Sequence, residues 1–228
     1  MNEESASYLD IKYHQISDIF FMNNQNRKEI DCFGAKFVKK DGSLEEFSLI
    51  PLSEMIHQQN RWISENEKKR RTDTIQFFEK TDKDFEVFLG INKCPSETEA
   101  IKRIDELLTK EKDNMHKYYL ICTKDEVPFG IFYFYDFKQA YMTCNLSIGL
   151  LSEKRGNGYC FEIMNILCHY IMSFGMNRIG LEVETTNTKC LKVCEEALNQ
   201  IGFQFEGVRK NSYGVGVDSA VFAWYLHE

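Results

Sequence analysis

The residues best placed to do chemistry are Arg155-Gly156-Asn157-Gly158-Tyr159, which lie between an extended run ending near Leu151 and a long apolar stretch that begins at Tyr159. Glycines at a helix start let the backbone come close to a ligand and leave several N–H groups pointing at it. Those donors, with the positive end of the helix dipole, suit a phosphate or pyrophosphate. The spacing is not that of a Walker loop, because no Gly-Lys-Ser/Thr follows. It is not a Rossmann fingerprint either, because Phe161 stands where the third glycine belongs. A pyrophosphate here needs a different frame around it.

Other reactive types are scattered. Glu184 closes the run Ile179–Glu184, Asp136 follows an aromatic run, and Tyr213 lies in the loop before the last extended run. The 8 cysteines form no Cys-x-x-Cys pair and the 5 histidines are spread over the whole chain, so reduced thiols and no metal site are expected.

The elements that must carry these residues read as follows. Phe33–Lys40 and Leu44–Ile50 flank Asp41-Gly42, a hairpin signal. Ser53 can cap a helix to about Lys69, with the basic run 68–71 at its C-terminal end. The Phe-rich segment 75–90 fits strand or helix. Ser96-x-x-Glu99 is a capping box, and Ile101, Ile104, Leu107 and Leu108 then follow at helical spacing to near Lys112. Three strands are expected over 117–123, 129–137 and 142–151, and a buried helix from Tyr159 with Gly175 at its C-cap. A strand over 179–184, a helix over 188–201 and strands over 203–209 and 218–226 complete the order.

Composition narrows the class. The formal net charge of −7 speaks against nucleic acid, which calls for a basic stripe, and is compatible with a cationic partner. No run approaches the ~20 apolar residues a membrane span needs. The N-terminus lacks the basic and apolar regions of a secretory signal, so a cytoplasmic protein is expected.

From Arg155 the text runs RGNGYCFEIMNILCHYIMSFGMNRIGLEVETTN, and later IGFQFEGVRKNSYGVGVD. The R-G-x-G-Y loop with Glu162, L-E-V leading to Asn187, then Gly202-Phe203, Glu206-Gly207, Arg209 and Asp218 together resemble the GNAT (Gcn5-related N-acetyltransferase) superfamily, in its RimJ/RimL-like branch. The likeness covers 44–228 and leaves 1–43 as an N-terminal extension that would carry part of an extra hairpin or serve a dimer interface.

The resemblance implies an α/β (α+β) fold with a mixed central sheet and helices on both faces. That sheet would splay between its fourth and fifth strands, 142–151 and 179–184 when counted from the strand at 44. It implies acetyl-CoA as acyl donor. Gly156, Asn157, Gly158 and Tyr159, with Arg155, would meet the pyrophosphate. Backbone around Gly149, Leu150 and Leu151 would pair with the pantetheine arm, and Asn187 would contact the cofactor. The activity implied is acetyl transfer to a primary amine, on a small molecule or a protein N-terminus, by a monomer or homodimer. The alternative is an acyl-CoA-binding member without turnover.

The proton-transfer residues depart from the family pattern. Asn145 stands where relatives often carry Glu, and an amide is no base. Relatives often place a Tyr before the Gly-Phe pair. Counting back from Gly202 gives Leu198, whereas counting forward from Asn187 gives Cys194, so the intervening helix is a turn longer than usual. The remaining candidates are Glu184 as base and Tyr213, with Asp136 behind them.

Overall fold

The computed structural model describes residues 33–38, 44–56, 64–91, 93–112, 116–172 and 176–225. Alternating and aromatic runs pair into one eight-stranded sheet: β1 (Phe33–Val38), β2 (Leu44–Pro51), β3 (His116–Thr123), β4 (Pro128–Lys138), β5 (Thr143–Leu150), β6 (Arg178–Glu184), β7 (Gln204–Arg209) and β8 (Ser219–Tyr225). The spatial order is β1-β2-β3-β4-β5-β6-β8-β7. Every neighbouring pair is antiparallel except β5 and β6, which run parallel. The register joins Thr143–Leu146 to Arg178–Leu181 and stops there. Ser147–Leu150 and Glu182–Glu184 therefore form the open arms of a fork, at the place where the family resemblance implies a splay.

The strands at 33–38 and 44–51 pair as the hairpin signal predicts. The Asp41-Gly42 turn and the expected Gly175 cap lie outside the described residues.

The helical segment after β2 differs from expectation. Ser53 does not cap a helix reaching Lys69: α1 is the short Leu52–Met55, with no side-chain cap. A separate helix, α2 (Glu65–Glu79), starts at a capping box that the sequence reading passed over. There the Ser64 Oγ accepts from the Glu67 N–H at 3.3 Å and the Ser64 N–H donates back to Glu67 Oε2 at 2.7 Å. The basic run 68–71 thus sits in the first half of a helix, where no C-terminal dipole acts on it. Lys68 pairs with Glu65, and Arg70 makes a two-point contact with Glu126 instead.

The ambiguous Phe-rich segment is helical. It supplies the end of α2 and all of α3 (Lys83–Leu89), which is capped by Asp82 and closed by Gly90. The expected box at Ser96 opens α4 (Glu97–Lys112).

Two apolar layers sandwich the sheet. On one face α5 (Tyr159–Met172) and the segment after Asn187 pack through Ile163, Met164, Leu167, Cys194 and Leu198 onto Leu146, Ile179, Leu181 and Phe222. On the other, α1 to α4 bury Phe77, Phe78, Phe85, Ile104 and Leu107 against Ile50, Leu120 and Ile131. α5 is apolar over most of its surface because it lies deep against the sheet. The segment after Asn187 is not one regular helix. α6 (Thr188–Lys192) passes into a π turn over Val193–Ala197 and a 3₁₀ turn over Leu198–Ile201. The change from α to π to 3₁₀ breaks the regular helical register between Asn187 and Gly202, so a position counted from one end does not carry over to the other.

Candidate functional site

The junction at 155–159 follows the β5 arm of the fork. Gly156 and Gly158 hold φ of +77° and +85°, the left-handed region that side chains with a Cβ adopt only at a cost. A Cβ built on either meets nothing within 4 Å, so both glycines border open space. The loop then enters α5, whose ladder opens with the Glu162 N–H donating to the Gly158 carbonyl at 3.3 Å, so the N-terminal end of the helix dipole lies at the turn. A double-glycine turn in the left-handed region, open space above it and a helix N-terminus together make a cradle that an anionic group fits.

Arg155 takes part differently from an anion ligand. Its N–H donates to the Ser152 carbonyl at 3.2 Å. Its guanidinium donates to Leu150 O (2.7 Å), Asp84 Oδ2 (2.6 Å) and Asp82 Oδ1 (2.8 Å), and it lies over the Phe85 ring. It is therefore bound within the protein and ties the loop to the start of α3. Burial pushes the Asp82 carboxyl up, but its hydrogen bond and ion pair with Arg155 outweigh this and hold it below the usual range. Asn157 folds its amide onto the Arg155 carbonyl at 3.3 Å. The Tyr159 ring is buried against Phe129, and Lys154 lies over both rings.

The backbone of the β5 arm faces alternately β4 and the fork. Leu151 N–H donates to Phe129 O at 2.9 Å, so antiparallel alternation turns Gly149 toward β4 and the polar groups of Ile148 and Leu150 into the opening. The Leu150 carbonyl is occupied by Arg155 Nε. Gly149 has a packing role: a Cβ there would stand 2.2 Å from Leu89 Cδ1 and 3.1 Å from Phe85 Cε1, so its bareness admits α3.

On the β6 arm, the Asn187 N–H donates to the Glu184 carbonyl (2.9 Å), while Asn187 Oδ1 caps α6 through the Cys190 N–H (3.1 Å). The Glu184 carboxylate accepts from the Thr186 hydroxyl. Tyr213 is half-exposed, and burial, then Glu182, pushes its phenol up to about 12; Glu184 also contributes. The fold therefore brings Glu184 and Tyr213 into electrostatic range of each other.

Asn145, and Cys194 or Leu198, occupy the positions where relatives often carry the proton-transfer residues. Asn145 pairs in register with Gly180, donates to Asp136 Oδ2 (3.2 Å), and fills the space a Cβ at Gly180 would need. Leu198 and Cys194 are both buried. The Cys194 thiol is pushed up by its hydrogen bond to Cys190 and by burial, so it stays protonated. Among the described residues no cluster of His, Cys, Asp and Glu could hold a metal ion, and no helix is long and apolar enough to cross a membrane.

Sequence reading missed the residues at the fork's vertex. Side chains at 145, 147, 180 and 182 share the face opposite α5, and Ser147 and Glu182 are the first residues past the last β5–β6 pair. Ser147 stands opposite Tyr133 in the β4–β5 register, and the rings of Tyr118, Tyr133 and Tyr135 line up at 5.1 and 5.8 Å. The two-residue alternation of 178–184 could have flagged Glu182 beside Glu184. The point where pairing stops could not have been read from it.

A family model described as an acetyltransferase (GNAT) domain matches residues 67–198, more than half of the chain. No curated protein sequence matches it. Among solved structures, the ribosomal-protein-S5-alanine acetyltransferase of Vibrio fischeri is similar at a TM-score of 0.56 and 16% identity, over 83% of this chain and 96% of that one. The spermidine N-acetyltransferase of Vibrio cholerae, in complex with CoA and spermine, gives 0.55 and 15% over 72% and 93%. RimL, a ribosomal L7/L12 alpha-N-protein acetyltransferase in complex with coenzyme A, gives 0.55 and 14% over 79% and 94%. At these identities the likeness is one of fold.

Proposed function

The chain belongs to the GNAT acetyltransferase family, and from that premise we propose that it transfers an acetyl group from acetyl-CoA to a primary amine. The observation that carries this reading is the open double-glycine turn at the N-terminus of α5, set on one arm of the β5–β6 fork.

The cradle suits the cofactor's pyrophosphate in charge and shape. The N–H groups of Gly156, Asn157, Gly158 and Tyr159 are its donors, and Arg155 acts by holding the turn in place. The outward-facing backbone of β5 at Ile148 and Leu150, flanked by Gly149 and Leu151, would pair with an extended amide-bearing arm as an added strand does. Asn187, with its oxygen spent on α6, offers its side-chain amide from the other arm. Acetyl-CoA supplies an activated thioester; the protein's own work is to bind, orient and exclude water. The acceptor amine enters on the face that α5 does not cover.

Glu184 and Tyr213 are the proton-transfer candidates, Glu184 acting on the acceptor's ammonium directly or through water. A general base contributes roughly 10²–10⁴-fold. Glu184→Gln is expected to cut kcat by at least that lower bound while leaving acetyl-CoA binding intact. Unchanged turnover across pH would remove Glu184 from the mechanism.

The whole reading is tested by acetyl-CoA titration calorimetry followed by free-thiol release with a panel of amines. Binding with amine-dependent release supports the transferase. The second reading, an acyl-CoA-binding protein without turnover, draws on Asn145 and the buried Cys194 and Leu198 at positions where relatives carry a base and an acid. It predicts binding with no release. No binding would overturn both.

A further inference from the structure

The vertex of the fork holds a carboxylate with no role in the cofactor cradle. Glu182 is the first β6 residue beyond the paired stretch, and its side chain is 15% exposed. One of its oxygens accepts from the hydroxyl of Ser219, which is fully buried and is itself hydrogen-bonded by Ser212 at 2.7 Å. The other lies 2.7 Å from Arg209 Nη1. The two partners differ in kind. Ser219 is fixed in β8, whereas the Arg209 side chain is 62% exposed and reaches in from the edge strand β7. One contact is built in and the other can swing into solvent.

The surroundings favour a cation. Tyr213 and Tyr135 both feel the charge of Glu182, and Tyr133 and Tyr135 stand beside Ser147 on the opposite arm. Neutral phenol rings next to a carboxylate attract an ammonium through both ring face and charge. An Arg in that place satisfies the same chemistry while no other cation is present.

The geometry points to Glu182 as the anion that receives the acceptor's ammonium, with Arg209 as an internal cation that the acceptor displaces. The ligand class is a primary alkylammonium, held between the Glu182 carboxylate and the tyrosines at the vertex. Asn145, where relatives often carry a carboxylate, is committed to Asp136 and Gly180 one pair below the vertex, so the negative charge of the site comes from β6 instead. This inference rests on the acetyl-CoA reading for its placement at the fork, but its chemistry is testable without turnover.

The probe is n-butylamine, with n-butanol as its neutral counterpart, titrated into CoA-saturated protein and followed by amide chemical shifts of β6 and the 210–219 segment. The wild type should respond to butylammonium and not to butanol at equal concentration. Glu182→Gln, which keeps an oxygen for Ser219, should weaken butylammonium binding at least tenfold with CoA affinity and thermal midpoint unchanged. Arg209→Gln should strengthen it several-fold by removing the competitor. Equal response to butanol, or an unaltered affinity in E182Q, overturns the ammonium site. A loss in R209Q as large as that in E182Q makes the pair a structural fastener and overturns the displacement. Failure of the wild type to bind CoA is a separate result that brings down the cofactor reading beneath the proposal.

Discussion

Arg155 Nη2 lies 2.8 Å from Asp82 Oδ1, so the glycine turn before α5 is fastened to the residue that caps α3. A second arm of the same guanidinium reaches Asp84, and its Nε holds the Leu150 carbonyl at the end of β5. One side chain thus coordinates strand end, turn and helix cap.

Removing that fastening should loosen the cradle. Asp82→Asn keeps an N-cap oxygen for Phe85 and loses only the charge. Both partners are about a third exposed, so the ion pair itself contributes little, about 1 kcal/mol or less after screening. The larger effect is on binding, because a mobile turn must be ordered by the ligand. CoA affinity is expected to fall about tenfold, or ~1.4 kcal/mol, in D82N and further in Arg155→Met. Calorimetry with unchanged far-UV circular dichroism checks this.

Gly158→Ala separates backbone cost from ligand contact. With φ at +85° and open space where the Cβ would stand, the change costs stability through the backbone alone, about 1–2 kcal/mol. Gly158→Trp should cost a similar amount of stability, yet abolish CoA binding by filling the cradle. Thermal melts and titration of the two variants provide the comparison.

Gly149→Ala should act through packing. The new methyl would stand 2.2 Å from Leu89 Cδ1, which must move, so about 1–3 kcal/mol of stability is expected to be lost. In a chain of this size each kcal/mol lowers the melting midpoint by about 2–4 °C. Because α3 carries Asp82, CoA affinity should fall as well.

The Arg178–Glu206 pair joins β6 to the edge strand β7, and Tyr225 also donates to Glu206. The hydrogen bond from Arg178 holds the Glu206 carboxyl below its ordinary value of 4.5, against the opposing effect of burial. A carboxylate with a depressed folded value stabilises fully above its unfolded value and loses that contribution as pH falls through the folded one. Wild type should therefore exceed Glu206→Gln in melting midpoint at neutral pH. The difference should shrink as pH drops below 4.5 and vanish in stronger acid; a gap that stays constant with pH would contradict the ion-pair account.

Local patterns determined much of this protein by themselves. The Ser96 box, the aromatic strands β3 and β4, the glycine turn at 156–158 and the apolar α5 all follow from interactions within a few residues, which the sequence states directly. The Ser64 box and the Asp82 cap carry equally local signals, but the first lies inside a run that also fits one longer helix from Ser53, and the second inside a Phe-rich run that fits either period. Only the tertiary structure decided that Arg155 faces Asp82 and Asp84, more than 70 residues away, and not an anion. It also decided that α3 needs Gly149 bare, and that Ser147 and Glu182 stand where the β5–β6 pairing stops, with Tyr213 within reach of the Glu182 charge. The reason is physical: where parallel strands cease to pair depends on what packs on both faces of the sheet, and that sum over distant side chains has no counterpart in any local run of residues.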